Sequence, residues 1–258
     1  MWDVADLHWW WRDDAYREPS KQLFWEEDGQ TLGMLLLSDS FATFDYEVTP
    51  GYETSAGASA LFAEGLAWLG RLEQSAAEPS FFVRDDHLAF QTLAHDAGFH
   101  ASGATYVQTV QDLHGARWEA QVPEGFVVRP LKEADLVEGR PPVLRISAAR
   151  FERVTQTPSY RRDFHLVAVS SRGDAAAECI CWWDEANAIG VFEPVETAEA
   201  YRHRGVGKAL LQEGVRRLAE RGVRWAKVSH NNDNPAAARL YASVGFTPLF
   251  ERKVFTRW

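Results

Sequence analysis

With 258 residues, 46% of them hydrophobic, the chain can form one large domain or two of ordinary size, each with a packed core. Its 27 basic and 37 acidic side chains leave a net charge of −10, which argues against nucleic acid as a partner. Residues 1–11 carry acid where a secretory leader carries base, and no apolar run reaches membrane-spanning length, so a soluble cytoplasmic protein with no membrane partner is expected.

Charge is uneven along the chain. Residues 1–115 hold 5 Lys+Arg against 19 Asp+Glu, net −14, whereas residues 116–258 hold 22 against 18, net +4. The run Trp9-Trp10-Trp11 with His8 is read as packing of an irregular start, with lining of a substrate cleft as the alternative. Residues 44–48 read as a strand. A helix is expected over 59–72, where Leu61, Phe62, Leu66 and Leu69 recur at helical spacing. Residues 80–84 form the next expected strand, 87–97 a second helix closed by Gly98-Phe99, and 104–107 a third strand. His95 and His100 lack the companions of a metal-ligand set. The segment from Gln108 to Gly125, rich in Gln, Gly and charge, reads as a linker, narrowed to 116–125 between domains at 1–115 and 126–258.

Residues 126–131 open the second domain as a strand, Glu133-Ala134-Asp135 starts a helix, and Pro141-Pro142 breaks the helical region. Strands are expected at 164–169 and 176–183, around the turn at 171–174. Cys179 and Cys181 are the only cysteines; spaced by one residue, they fall on one face of a strand as reduced core thiols, and a zinc site is not expected. A further strand carries Glu193, Val195, Glu196 and Thr197 and leads into Arg202-His203-Arg204-Gly205-Val206-Gly207-Lys208. The paired glycines let backbone approach a ligand, and the helix that follows directs free N–H groups and its positive dipole end toward phosphate oxygens. Arg202, Arg204 and Lys208 add charge. The helix buries Val206, Leu210, Leu211, Val215 and Leu218, and Gly222 is placed to end it. One strand further on, Asn234 with Pro235 starts another helix that carries Leu240 and Tyr241 and runs to Gly245-Phe246, ahead of a strand at 252–255.

Arg202, Gly205 and Gly207, followed by Asn234, Ala237, Leu240, Tyr241, Gly245 and Phe246, resemble the two sequence marks of the GNAT superfamily of acyl-CoA-dependent N-acyltransferases. The likeness is specific over residues 188–255. Sliding the second mark back finds a weaker copy, with Gly98-Phe99 preceded by a helix and the same strand, helix, strand, helix, strand order. That copy lacks the paired glycines, and His87 and Ala94 stand where Asn234 and Tyr241 stand. The expected fold is therefore α/β with mixed sheets: two tandem GNAT-like domains, each a twisted mixed sheet flanked by helices, the first degenerate. A tandem layout with one active copy resembles mycothiol synthases and aminoglycoside acetyltransferase-like proteins.

The resemblance implies transfer of acetyl from acetyl-CoA to a primary amine of a small molecule, without a covalent enzyme intermediate and without a metal. The pyrophosphate would lie on residues 202–208, that is Arg202, His203, Arg204, Gly205, Val206, Gly207 and Lys208, with Asn234 nearby and the pantetheine on backbone groups of Val195 and Thr197. Tyr241 would protonate the departing thiolate. Of the two carboxylates before the turn, Glu193 shares strand parity with Val195 and Thr197 and is preferred over Glu196 as the base. His203 and His230 sit near the two marks, but position alone makes neither a base. The acidic first half suggests a cationic amine, such as a polyamine or aminoglycoside, entering between the halves. Rival readings are a non-catalytic acyl-CoA-binding or regulatory module, a protein N-terminus as acceptor, or a longer acyl donor.

Overall fold

The computed structural model describes residues 9–10, 18–72, 78–115 and 119–257. Asp28 (φ 49°) and Gly29 (φ 75°) form a two-residue turn with both φ angles positive, the geometry that matches the twist of a hairpin. It joins β1 (Gln22–Glu27) to β2 (Gln30–Ser38), and β3 (Thr43–Val48) completes a three-stranded sheet in the order β1-β2-β3. Helix α1 (Ala56–Arg71) starts at Ser55, whose hydroxyl accepts from Ala58 N–H at 3.1 Å, and buries Leu61, Phe62, Leu66 and Leu69. Next come β4 (Ser80–Arg84), α2 (Leu88–Asp96) and β5 (His100–Asp112).

The second half runs β6 (Phe126–Pro130), α3 (Ala148–Thr155), β7 (His165–Ser170), β8 (Ala175–Asp184), β9 (Ile189–Thr197), α4 (Val206–Glu220), β10 (Trp225–Asn231), α5 (Pro235–Val244) and β11 (Thr247–Thr256). The helix expected at Glu133 is a single 3-10 turn, Glu133–Asp135. It stops there because Asp135 turns back to take both guanidinium nitrogens of Arg129 (2.6 and 2.7 Å) and the N–H of Lys132.

The large sheet has the order β4-β11-β5-β10-β9-β8-β7-β6. Each half thus hands its last strand to the other: β5 lies between β10 and β11, and β11 lies between β4 and β5. This corrects the linker reading of residues 108–112, which belong to the centre of the sheet. Their hydrophilicity misleads because their side chains donate inside the protein to second-half carbonyls. Gln108 Nε2 donates to Val228 O (3.3 Å), Thr109 Oγ1 to the same carbonyl (2.7 Å) and Gln111 Nε2 to Val244 O (2.9 Å). Residues 116–118 of the expected linker lie outside the described residues.

The exchange also mixes the cores. Phe255 on β11 is fully buried among first-half side chains, stacked on Phe81 with centroids 5.8 Å apart, in a cluster with Phe44, Phe62, Phe90 and Phe99. The second core packs α4 against Cys179, Cys181 and Phe192, and a third cluster on the opposite face of the sheet centres on Trp182. The two cysteines are free, buried and 3.7 Å apart on one face of β8, as their spacing required. Among the described residues no helix is long and apolar enough to cross a membrane.

Deleting a buried phenyl ring costs about 3–5 kcal/mol. Phe255→Ala is therefore expected to lower the midpoint of one shared calorimetric unfolding transition by on the order of 10 °C. Two transitions, of which only one moves, would show halves more independent than their strand exchange implies.

Candidate active site

The site begins where two neighbouring strands part. β9 pairs in parallel with β10 only at Ile189, Gly190 and Val191, opposite Trp225, Ala226 and Lys227. β9 stays paired with β8 as far as Thr197. From Phe192 onward the edge of β9 that faces β10 therefore has no ladder partner, and a V-shaped gap opens. Val195 and Thr197 lie on this unpaired stretch.

The same stretch is bulged. Cys181 pairs with Phe192 and Cys179 with Val195, so Glu193 and Pro194 together face the single residue Ile180. Trp182, fully buried, pins the bulge by donating its Nε1–H to the Glu193 carbonyl at 2.5 Å. The bulge overturns the parity argument used for Glu193. Phe192, not Glu193, shares the face of Val195, because the extra residue resets the alternation. The two glutamates are nevertheless distinct. Glu196 is held by Arg145, through Nε at 2.8 Å and the backbone N–H at 3.2 Å, whereas Glu193 lines the gap beside Tyr241.

Beyond β9 the chain turns through His203 (φ 61°) and Gly205 (φ 77°) into α4. Gly205 caps the helix with no side-chain hydrogen bond, leaving the first-turn N–H groups directed outward from the helix end. A Cβ on Gly207 would stand 2.9 Å from Thr197 Oγ1, so only glycine lets the helix start approach the end of β9 this closely. Arg202, His203 and Arg204 are exposed around the turn, Lys208 is half-buried, and Val206 is buried beneath it. The Arg202 Nε–H contacts the Thr197 carbonyl at 3.4 Å, and the Arg204 guanidinium lies 5.4 Å from the Tyr201 ring centre. Gly222 (φ 78°) ends the helix, with the Val223 N–H bonded back to Leu218 O.

On the other arm of the V, Asn234 Oδ1 accepts from Ala237 N–H at 3.1 Å, and with Pro235 in the first turn it starts α5 as its spacing predicted. Two turns later comes Tyr241, only 7% exposed. Burial first, then the negative charge of Glu193, pushes its phenol well above the ordinary tyrosine value, which keeps it protonated. The His230 ring centre lies 6.0 Å from that of Tyr241.

The gap opens into a cavity of about 650 Å³ that reaches the first half. Thr43 and Asp45 of β3, Ser80 and Phe82 of β4, and Tyr106 and Gln108 of β5 line it. So do Lys227 and Arg252, which makes the lining mixed in sign despite the acidity of the first half. Trp10 also lines the cavity, while Trp9 is buried against Trp182 with centroids 6.2 Å apart; His8 and Trp11 lie outside the described residues. Sequence reasoning missed the contributions of Asp45 and Arg252. Local sequence offered little signal, since Arg252 is flanked by Glu251 and Lys253 and Asp45 shares its strand with Glu47. It also missed the buried pair His165–Glu178 (2.8 Å), whose carboxylate takes the N–H groups of Val143 and Leu144 and fixes the loop that bears Arg145. Among the described residues no group of three or more His, Cys, Asp or Glu side chains could hold a metal ion.

Comparison with known proteins agrees with this geometry. The family model described as an acetyltransferase (GNAT) domain matches residues 161–248. A mycothiol acetyltransferase of Nocardioides sp. is 29% identical over 190 residues, which span 63% of this chain and 63% of that protein. In fold, the chain is similar to a GCN5-related N-acetyltransferase of Sphaerobacter thermophilus, with a TM-score of 0.67, 20% identity, and 88% and 77% of the two chains covered. It is also similar to a tandem GNAT protein from the clavulanic acid biosynthesis pathway, with a TM-score of 0.63, 19% identity, and 93% and 84% covered. Residues 161–248 thus match an acetyltransferase (GNAT) domain, and the fold around them is similar to that of solved GNAT proteins.

Proposed function

We propose that the protein transfers an acetyl group from acetyl-CoA directly to a primary amine of a small molecule. The observation that carries this reading is the convergence of an uncapped, glycine-built helix start, an unpaired strand edge and a protonated Tyr241 on one V-shaped gap. The residues fit the cofactor. The α4 start, with Arg202, Arg204 and Lys208, offers N–H groups and positive charge to a pyrophosphate. The free edge of β9 at Val195 and Thr197 offers an extended pantetheine the backbone pairing that β10 does not. When bound, acetyl-CoA supplies an activated thioester carbonyl.

Glu193, directly or through a water, takes the proton from the substrate ammonium and so frees the nitrogen lone pair for attack. A backbone N–H at the bulge near Val195 faces the charge that develops on the carbonyl oxygen. Tyr241 would give its phenolic proton to the sulfur as the carbon–sulfur bond breaks and regain one from the acylated nitrogen, and Asn234 fixes the helix that carries it. A purely acyl-CoA-binding module would have no use for a buried phenol held protonated beside a carboxylate.

Four outcomes follow. Gly205→Glu places bulk and negative charge at a left-handed position beside the phosphate site, and calorimetric titration should show no acetyl-CoA binding. Tyr241→Phe should lower kcat by roughly ten- to a thousandfold with acetyl-CoA affinity retained. In the wild type the raised phenol predicts no loss of kcat from Tyr241 ionisation up to the ordinary tyrosine pKa of about 10. Unchanged turnover in the phenylalanine variant under conditions where chemistry is rate-limiting would remove Tyr241 from the mechanism. Glu193→Gln should abolish the pH-dependent activation of the amine; the same effect from Glu196→Gln instead would reassign the base.

A further inference from the structure

Arg252 is the conspicuous side chain of the cavity that the transfer chemistry does not use. It sits in the middle of β11, directly opposite Arg84 on β4 and Tyr106 on β5, and it lines the cavity. Like charges facing each other across two strands are unfavourable. Arg84 is neutralised by a bidentate pair with Asp86 (2.9 and 2.6 Å). For Arg252 no ion pair is found among the described residues. Its Nε is buried without a hydrogen-bond partner among them, and its guanidinium lies 5.7 Å from the Phe82 ring centre. A planar fork of donors, partly desolvated and pointed into a cavity, is an oxyanion receptor in waiting.

We propose that Arg252 reads an oxyanion, a carboxylate or a phosphate, carried by the acceptor amine, so that the exchanged strand β11 supplies substrate specificity from its place beside the first-half strands. This rests on the acetyl-transfer reading above. Register sets the length of the acceptor. Arg252, Tyr106 and Asn231 form one row across β11, β5 and β10, so Arg252 stands about two strand spacings, on the order of 10 Å, from the β10 arm of the V. Glu193 lies across the gap from that arm. An α-amino acid is too short to bridge them, whereas an amine whose oxyanion lies several bonds away spans the distance. Tyr106 lies on the row between and lines the cavity, where its hydroxyl can meet a polar linker. The acceptor is then zwitterionic and not polycationic, despite the net charge of −14 on residues 1–115.

The test measures thiol release from acetyl-CoA with a set of amines of one chain length: an ω-amino carboxylate, an ω-amino phosphate ester, an ω-amino alcohol and a diamine. The wild type should favour one of the two oxyanion amines by kcat/KM, and their order names the oxyanion. In Arg252→Gln the ratio of kcat/KM for that amine over the alcohol should fall at least about tenfold, as for loss of a charge-assisted bidentate bond. Arg252→Lys should restore part of it, because charge returns without the fork. A wild type that prefers the diamine or the alcohol, or a ratio unmoved by Arg252→Gln, overturns the proposal. Calorimetric binding of the oxyanion amines to the CoA-loaded protein separates the two readings. Arg252-dependent binding without thiol release would defeat the transfer reading and leave the receptor standing, and thiol release with no Arg252 dependence would do the reverse.

Discussion

The exchange of β5 and β11 is the constraint on which the rest of the molecule depends. Each strand pairs on both sides along the middle of an eight-stranded sheet, and each buries side chains in the half to which it does not belong by sequence. Phe255 completes the first core, and Gln108 and Gln111 bond the carbonyls of the second. Because these strands lie between the V-shaped gap and the first-half strands, the same ladder that joins the halves also floors the cavity between them. Arg252 and Tyr106 line the cavity at the second-half gap for this reason, so that strands of both halves border it.

Within the second half the decisive feature is local. Parallel pairing between β9 and β10 stops after three residues, and the bulge at Glu193 and Pro194, held by the Trp182 indole, carries β9 away from β10. A continuous ladder would satisfy the backbone at Val195 and Thr197 and close the gap to any extended ligand. The close approach of Gly207 to Thr197 sets the α4 start beside the end of β9, so that the helix start and the unpaired strand edge lie next to each other.

Much of this was legible in the sequence because local rules and tertiary structure agree there. Asn234 and Pro235 start a helix, Gly205 takes a left-handed conformation, Gly222 ends α4, and Tyr241 follows Asn234 by two turns, all as their residue types dictate. What was illegible depends on partners remote in sequence. Residues 108–112 read as linker because the acceptors for their amide N–H groups are the carbonyls of Val228 and Val244, more than a hundred positions away. The bulge that resets the alternation around Glu193 is fixed by a tryptophan on the neighbouring strand, which no count along β9 contains. The hairpin at Asp28-Gly29 is a different case: its signal was present, and the acidic polar flanks of β1 concealed it.

Hydrogen exchange of the intact protein with and without acetyl-CoA tests the central claim, that the V-shaped gap between β9 and β10 holds the cofactor. Protection should appear along 192–197, at the α4 start over 205–208 and at the start of α5, with 43–48 and 80–84 of the first half unchanged. Protection of the first-half strands by acetyl-CoA, or none at 192–197, would contradict the account.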